Sequence, residues 1–219
     1  MAYKEDIYRF LTDQRSTQRE YIRKIPRLVI PYLTEDYFKD TIEICMGHEY
    51  EYFDEYKQIF EWLKDNQEKG LFLIGPNGVG KTVLTMLVIP LLYNRFRNRI
   101  FSRYTAIEMN NIATYNEMMK SHLLVIDDIG TESICEEFSH KRMLFGDIMD
   151  SVEQKGKIFI GITNLRDDVL ATRYEKRTLD RIRGTTKLIV INHPSMRGKS
   201  VTKNTIQEEK TKASNANEQ

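Results

Sequence analysis

The sequence predicts an α/β fold in which a buried parallel sheet is flanked by helices, on three observations. Leu71-Phe72-Leu73-Ile74 runs straight into the glycine-rich turn Gly75-Pro76-Asn77-Gly78-Val79-Gly80-Lys81-Thr82 and then into the helix-like stretch Val83 to Val88. A second apolar run, Leu123-Leu124-Val125-Ile126, ends in Asp127-Asp128-Ile129-Gly130. A third, Ile158-Phe159-Ile160-Gly161-Ile162, ends in Thr163-Asn164. Short apolar runs bounded by turn signals read as strands covered on both faces, and their alternation with helical stretches reads as parallel pairing. In such a sheet, whatever follows a strand is delivered to the carboxyl edge, where ligands bind.

The elements can be taken in order. Residues 1 to 24 carry apolar positions Ile7, Tyr8, Phe10, Leu11 and Ile22 among charges, compatible with one or two amphipathic helices that either dock a partner or pack on their own domain. Ile25-Pro26 and Ile30-Pro31 break that pattern, since proline biases the residue before it away from helix. Tyr52, Phe53, Tyr56, Ile59, Phe60 and Leu63 then follow helical spacing, and Asn66 to Gly70 end that helix. Pro90 is expected to kink or end the helix after Lys81. Arg95, Arg97, Arg99 and Arg103 form either a solvated basic surface or a contact for a nucleic-acid backbone.

Ile100 to Tyr104 reads as a short strand and Ala106 to Lys120 as an irregular helical connection. Leu144, Phe145, Ile148, Met149 and Val152 make a helical stripe ending near Gly156. Arg177 to Arg183 is a basic helical turn, followed by a strand at Leu188 to Ile191. Gly198 to Gln219 is polar throughout and reads as a disordered tail. The expected organisation is therefore a helical arm and linker over 1–50, one α/β domain over 51–197, and the tail over 198–219.

Composition narrows the function classes. A chain of 219 residues suits one domain with appendages. With 33 Lys+Arg against 32 Asp+Glu, a formal net charge of +1 supplies no global field for nucleic acid or anionic lipid. Cys45 and Cys135 have no metal-like spacing and read as two reduced thiols. The N-terminus lacks signal-peptide shape, and the longest apolar stretch, Leu84 to Tyr93, is interrupted by Thr85 and Pro90 and too short for a bilayer. A cytoplasmic protein with no membrane role is expected.

The chemistry explains the spacing. Gly75 to Thr82 is a complete G-x-x-x-x-G-K-[ST] match. Its glycines let Gly75, Pro76, Asn77, Gly78, Val79 and Gly80 curl their backbone groups around an anion, and the following helix adds its positive end. Lys81 is then placed for the β- and γ-phosphates of ATP, and the Thr82 hydroxyl for Mg²⁺. Chance alone would produce such a match roughly once in a hundred chains of this length, which favours the chemical reading. Asp127 is suited to hold Mg²⁺ and Asp128 to act as general base on an attacking water. Asn164 either caps the turn after its strand or senses the γ-phosphate.

Taken together, these residues resemble the AAA+ ATPases of the bacterial helicase-loader group, DnaC and DnaI, and the related transposition ATPase IstB. The resemblance covers residues 25 to 197. It rests on the glycine-rich turn, the Leu-Leu-Val-Ile-Asp-Asp-Ile-Gly run, Thr163-Asn164-Leu165, Asp180-Arg181 and Ser195-Met196-Arg197. It implies a P-loop AAA+ core with a five-stranded parallel sheet, in which the strand ending at Asn164 lies between those carrying the phosphate loop and Asp127. It further implies Asn164 as first sensor, Arg181 as an arginine finger acting in trans, and Arg197 as second sensor on the nucleotide. The implied cofactors are ATP and Mg²⁺. The implied partners are a replicative DnaB-type helicase, further copies of the chain through nucleotide interfaces, and, weakly, single-stranded DNA. The segment before Ile25 is shorter than the separate helicase-binding region of such loaders and lacks zinc-binding cysteines.

Four readings compete. One is an ATP-switched helicase loader; a second keeps the ATPase but gives it a transposase and duplex DNA. A third is a small-molecule P-loop kinase, which would need an acceptor pocket and lid arginines that the sequence does not display. A fourth is a nucleotide-locked adaptor, against which the Asp127-Asp128 pair argues.

Overall fold

The computed structural model describes residues 24–47, 51–133, 135–137, 140–142 and 144–196. The expected N-terminal amphipathic helices, the polar tail and Arg197 lie outside the described residues.

Helix α1 (Glu35–Met46) opens on Thr34, whose hydroxyl accepts the Tyr37 N–H at 3.2 Å, and closes on Gly47 at φ 79°. Helix α2 (Asp54–Lys64) buries Tyr56, Ile59, Phe60, Trp62 and Leu63. Strand β1 (Gly70–Ile74) leads through the glycine-rich turn into a continuous helical segment, α3, over 81–97. Strand β2 (Ser102–Thr105) is followed by a 3₁₀ turn (Ala106–Asn110) and helix α4 (Ile112–Lys120). Strand β3 (Leu123–Asp127) precedes a small antiparallel hairpin of β4 (Cys135–Glu137) and β5 (His140–Arg142). Helix α5 (Leu144–Lys155), strand β6 (Ile158–Thr163), helices α6 (Asp167–Arg173) and α7 (Lys176–Thr185), and strand β7 (Thr186–Val190) complete the order.

All five long-range strands pair in parallel, in the order β2-β3-β6-β1-β7. β6 therefore lies between β1 and β3, as the resemblance implied. Alternate residues of β1 face opposite layers: Leu71 and Leu73 join the core under α1, α2 and α3, and Phe72 joins the one under α4, α5 and α6. Gly161 in β6 is glycine because a β-carbon there would meet the Phe72 ring at 2.6 Å. Ile25, Leu28, Ile30 and Leu33 belong to the first core, which the proline-broken pattern had not revealed. Buried Asn66 fixes them, accepting the Leu28 N–H at 3.0 Å and donating to the Pro26 carbonyl at 3.1 Å.

The expectation at Pro90 is corrected. α3 does not end there but runs on to Arg97. Residues Leu84–Val88 widen into a π-turn, with the Ile89 N–H reaching the Leu84 carbonyl. Proline has no N–H for the Met86 carbonyl four residues back; the Arg103 guanidinium donates to it instead, at 2.7 Å. One member of the basic cluster is thus a helix repair, while Arg95, Arg97 and Arg99 are exposed.

Lys157, just before β6, is fully buried, and its ammonium donates to the Met119 and Met118 carbonyls at 2.8 and 3.3 Å, closing the end of α4. Burial, with Lys155 as a lesser cause, pushes its pKa down from 10.5 to about 8. Between those values the unfolded chain holds a proton that the folded chain has released, so this group adds stability as pH rises from 8 to 10.5 and loses it as pH falls through 8. Urea unfolding of Lys157→Met should show a flatter stability profile across that window than the native chain. An identical slope would mean that the ammonium is hydrated in the folded state.

Candidate functional site at the carboxyl edge of the sheet

The turn after β1 is shaped by contacts that only glycine permits. A β-carbon at Gly75 would meet the Ile191 carbonyl oxygen at 2.4 Å. Gly78 and Gly80 have φ of 83° and 79°, and a β-carbon at Gly80 would meet Met46 Cε at 2.4 Å and the Tyr56 hydroxyl at 2.8 Å. The turn is anchored from three sides: Tyr56 Oη donates to the Val79 carbonyl at 2.9 Å, the Met196 N–H to Gly78 at 2.9 Å, and the Gly75 N–H to Thr163 at 3.3 Å. Val79 is the apolar peg of the loop, its side chain buried in the first core, whereas Pro76 and Asn77 are exposed. Residues after β7 come back across this turn because His193 stacks on Phe53, centroids 3.8 Å apart, and meets Glu55 at 2.6 Å.

Lys81, only 5% exposed, directs its ammonium to the Gly75 and Pro76 carbonyls, both at 2.7 Å, and to Asn164 Oδ1 at 2.8 Å. Asn164 in turn donates from Nδ2 to Asp128 Oδ1 at 3.1 Å. A single chain of hydrogen bonds therefore joins the ends of β1, β6 and β3. A phosphate oxygen entering beside Lys81 would make a stronger, charge-assisted partner than the neutral Gly75, Pro76 and Asn164 oxygens.

Asp127 is 4% exposed. Burial raises its pKa, opposed by the Thr82 hydroxyl within hydrogen-bonding reach and by the Asp128 N–H, which donates to Oδ1 at 2.8 Å. Asp128 is held at φ 54°, a left-handed conformation closed by the Thr131 N–H on its carbonyl at 3.1 Å. Asn77, Gly78, Gly80, Lys81, Thr82, Asp128, Thr131 and Asn164 line a cleft of about 520 Å³ together with the apolar Cys45, Met46 and Met196. One end can hold a phosphate-rich anion, the other an apolar or planar group. Thr82 and Asp127 fit a hard cation of the Mg²⁺ type, which takes one or two protein oxygens and completes its shell with phosphate and water. Among the described residues no group of three His, Cys, Asp or Glu side chains forms a cage of its own.

Arg181 lies elsewhere. It sits on α7 and pairs with Asp150 at 2.5 Å and Glu153 at 2.9 Å of α5, its side chain 10% exposed, and it does not line the cleft of its own chain. The apolar wall from α1 escaped the sequence reading, since Cys45 and Met46 look like any helix end. So did Glu132, buried at the end of the turn after β3 among Gly130, Arg173 and Tyr174. The carboxylate raises the pKa of the Tyr174 phenol, after burial as the larger cause.

No family model matches the chain, and no curated protein matches it in sequence. Among solved structures it is similar to DnaI, with 19% identity and a TM-score of 0.55 over 78% of this chain and 97% of that one. It is similar to AMPPCP-bound DnaA from Aquifex aeolicus, with 17% identity and a TM-score of 0.50 over 81% of this chain and 56% of that one. The DnaC helicase loader aligns at 23% identity and a TM-score of 0.45, over 56% of this chain and 78% of that one. The α/β fold with a five-stranded parallel sheet that the resemblance implied is thus shared with the DnaI and DnaA structures.

Tyr56→Phe removes one hydroxyl and leaves the Val79 carbonyl without that donor in a dry site. It should cost about 1–3 kcal/mol in urea unfolding. Native stability in this variant would show that another group takes over the carbonyl.

Proposed function

We propose that this chain binds and hydrolyses ATP with Mg²⁺ and acts in the cytoplasm as an ATP-dependent oligomeric switch on a replicative, DnaB-type helicase, in the manner of the DnaC and DnaI loaders. The observation that carries the ATPase reading is the Lys81–Asn164–Asp128 chain, which spans three strand ends inside a cleft that also holds Thr82, itself bonded to buried Asp127. The role on a helicase rests on the ordered motif resemblance and on the fold shared with DnaI. The related DnaA structure holds an ATP analogue, AMPPCP, which supports the same use of the cleft.

In this reading the backbone of Gly75 to Gly80 cradles the phosphates, and Lys81 exchanges its loop carbonyls for phosphate oxygens. Thr82 and Asp127 would hold the cation, which would supply neutralisation of phosphate charge. Asp128 takes the proton of the attacking water, and Asn164 reports on the γ-phosphate because it already touches both Lys81 and Asp128. Arg197 is assigned to the nucleotide from its own subunit. Arg181 is assigned to a neighbouring subunit's γ-phosphate; its pairs with Asp150 and Glu153 must exchange when subunits assemble, which ties hydrolysis to oligomer formation. Weak binding of single-stranded DNA belongs to the same proposal.

Mixing the chain with ATP, Mg²⁺ and the replicative helicase of its host should give a discrete complex by native mass measurement, absent with Lys81→Ala. Arg181→Ala should keep ATP affinity but lose assembly-dependent turnover by roughly a thousandfold. Full activity in that variant would remove the trans role. Failure to bind the helicase, with salt-sensitive binding to duplex DNA and a transposase, would move the chain to the transposition reading while leaving the ATP site in place.

A further inference from the structure

The turn after β3 ends in a buried carboxylate that no step above uses. Glu132 Oε2 accepts the Gly130 N–H at 2.8 Å, and Oε1 accepts the Tyr174 hydroxyl and lies 3.5 Å from Arg173 Nη2. Arg173 also donates to the Glu132 main-chain carbonyl. A carboxylate this buried is destabilising unless its lone pairs are met, so these partners make the site a built one.

Its first partner matters most. Gly130 has φ 109°, and a β-carbon there would meet Leu165 Cδ1 at 2.3 Å, so the turn presses on the residue that follows Asn164. Upstream, the Ile129 N–H donates to Ile162 at 2.8 Å and the Thr163 hydroxyl to Ile129 at 2.7 Å. Residues 128 to 132 are thus clamped to β6 on one side and, through Glu132 alone among these bonds, to the end of α6 on the other. Arg173 and Tyr174 stand directly before α7, which carries Arg181.

We propose that Glu132 is a positioning residue for ATP hydrolysis: its carboxylate fixes the Gly130 amide so that Asp128 keeps its left-handed backbone facing Asn164, and it couples that turn to the α6–α7 unit. This rests on the ATPase reading of the same cleft. The Glu132 carboxylate is not bonded to Lys81 and does not itself line the cleft, so it acts on turnover through the placement of Asp128, not on nucleotide affinity.

The test compares the full native chain with Glu132→Gln, which keeps the shape but loses the charge and one acceptor, and with Tyr174→Phe, which removes a single hydroxyl. Nucleotide affinity, ATP turnover with its kcat and KM, thermal stability and amide exchange at residues 128–132 are read together. Glu132→Gln is expected to keep affinity within about threefold while kcat falls by ten- to a hundredfold and exchange of the Gly130 amide rises about tenfold. Tyr174→Phe should shift the same readouts in the same direction by less, and it serves should Glu132→Gln not fold. Native kcat and native Gly130 exchange in both variants would overturn the proposal. So would affinity and kcat falling together with a general loss of protection, the signature of a purely structural tie. A native chain that turns over no ATP would sink the ATPase reading alone; Gly130 exchange would still decide whether Glu132 holds the turn, and unchanged exchange would overturn it.

Discussion

The constraint on which the cleft depends is the burial of the Lys81 ammonium. A charge this far from water must be met by acceptors, and two of them are carbonyls of the loop that presents it. The loop can offer those carbonyls only if its own backbone is bent through positive φ at Gly78 and Gly80, and that bend is held from behind by Tyr56 and Met196. A further acceptor, Asn164, is the link to the next strand. Packing of α1, α2 and the segment after β7 against the turn thus covers apolar surface and also holds the bend that keeps one cation satisfied.

The central strands β1, β3 and β6 were legible because they are covered on both faces, which forces continuous apolar runs, whereas the edge strands β2 and β7 are only partly buried. The residues ending the central strands stood out because a parallel sheet presents one edge to ligands. Gly75 to Thr82 were named as candidates from the motif match and Asp127, Asp128 and Asn164 from those strand ends, and Lys81, Thr82, Asp128 and Asn164 line one cleft. What escaped had no local signature. Pro90 looks like a stop because its remedy, the Arg103 guanidinium on the Met86 carbonyl, comes from a different element. Ile25 to Leu33 look like a linker because prolines interrupt them, yet Asn66 satisfies their backbone from across the fold. Glu132 reads as one more loop acid, since burial of a carboxylate is decided by the Tyr174 and Arg173 side chains some forty positions away.

The same limits apply to the arginines. Motif order names Arg181, but its geometry within one chain is that of an ion pair between α5 and α7. A side chain that has good partners at home must be offered better ones elsewhere, and a neighbouring subunit is where such an offer would come from. Arg103 shows the opposite case, a cation whose basic neighbours suggest an outward role while its guanidinium serves the backbone.

The strand order sets a further quantity. With β6 inserted between β1 and β3, the strands that lead to the lysine-bearing loop and to the paired aspartates run two inter-strand spacings apart, roughly 10 Å, and Thr82 reaches across to Asp127. Asn164 bridges that gap from the middle strand. The insertion works as a spacer, so the width between the two strand ends is written into connectivity and would survive the exchange of any single side chain that lines the cleft.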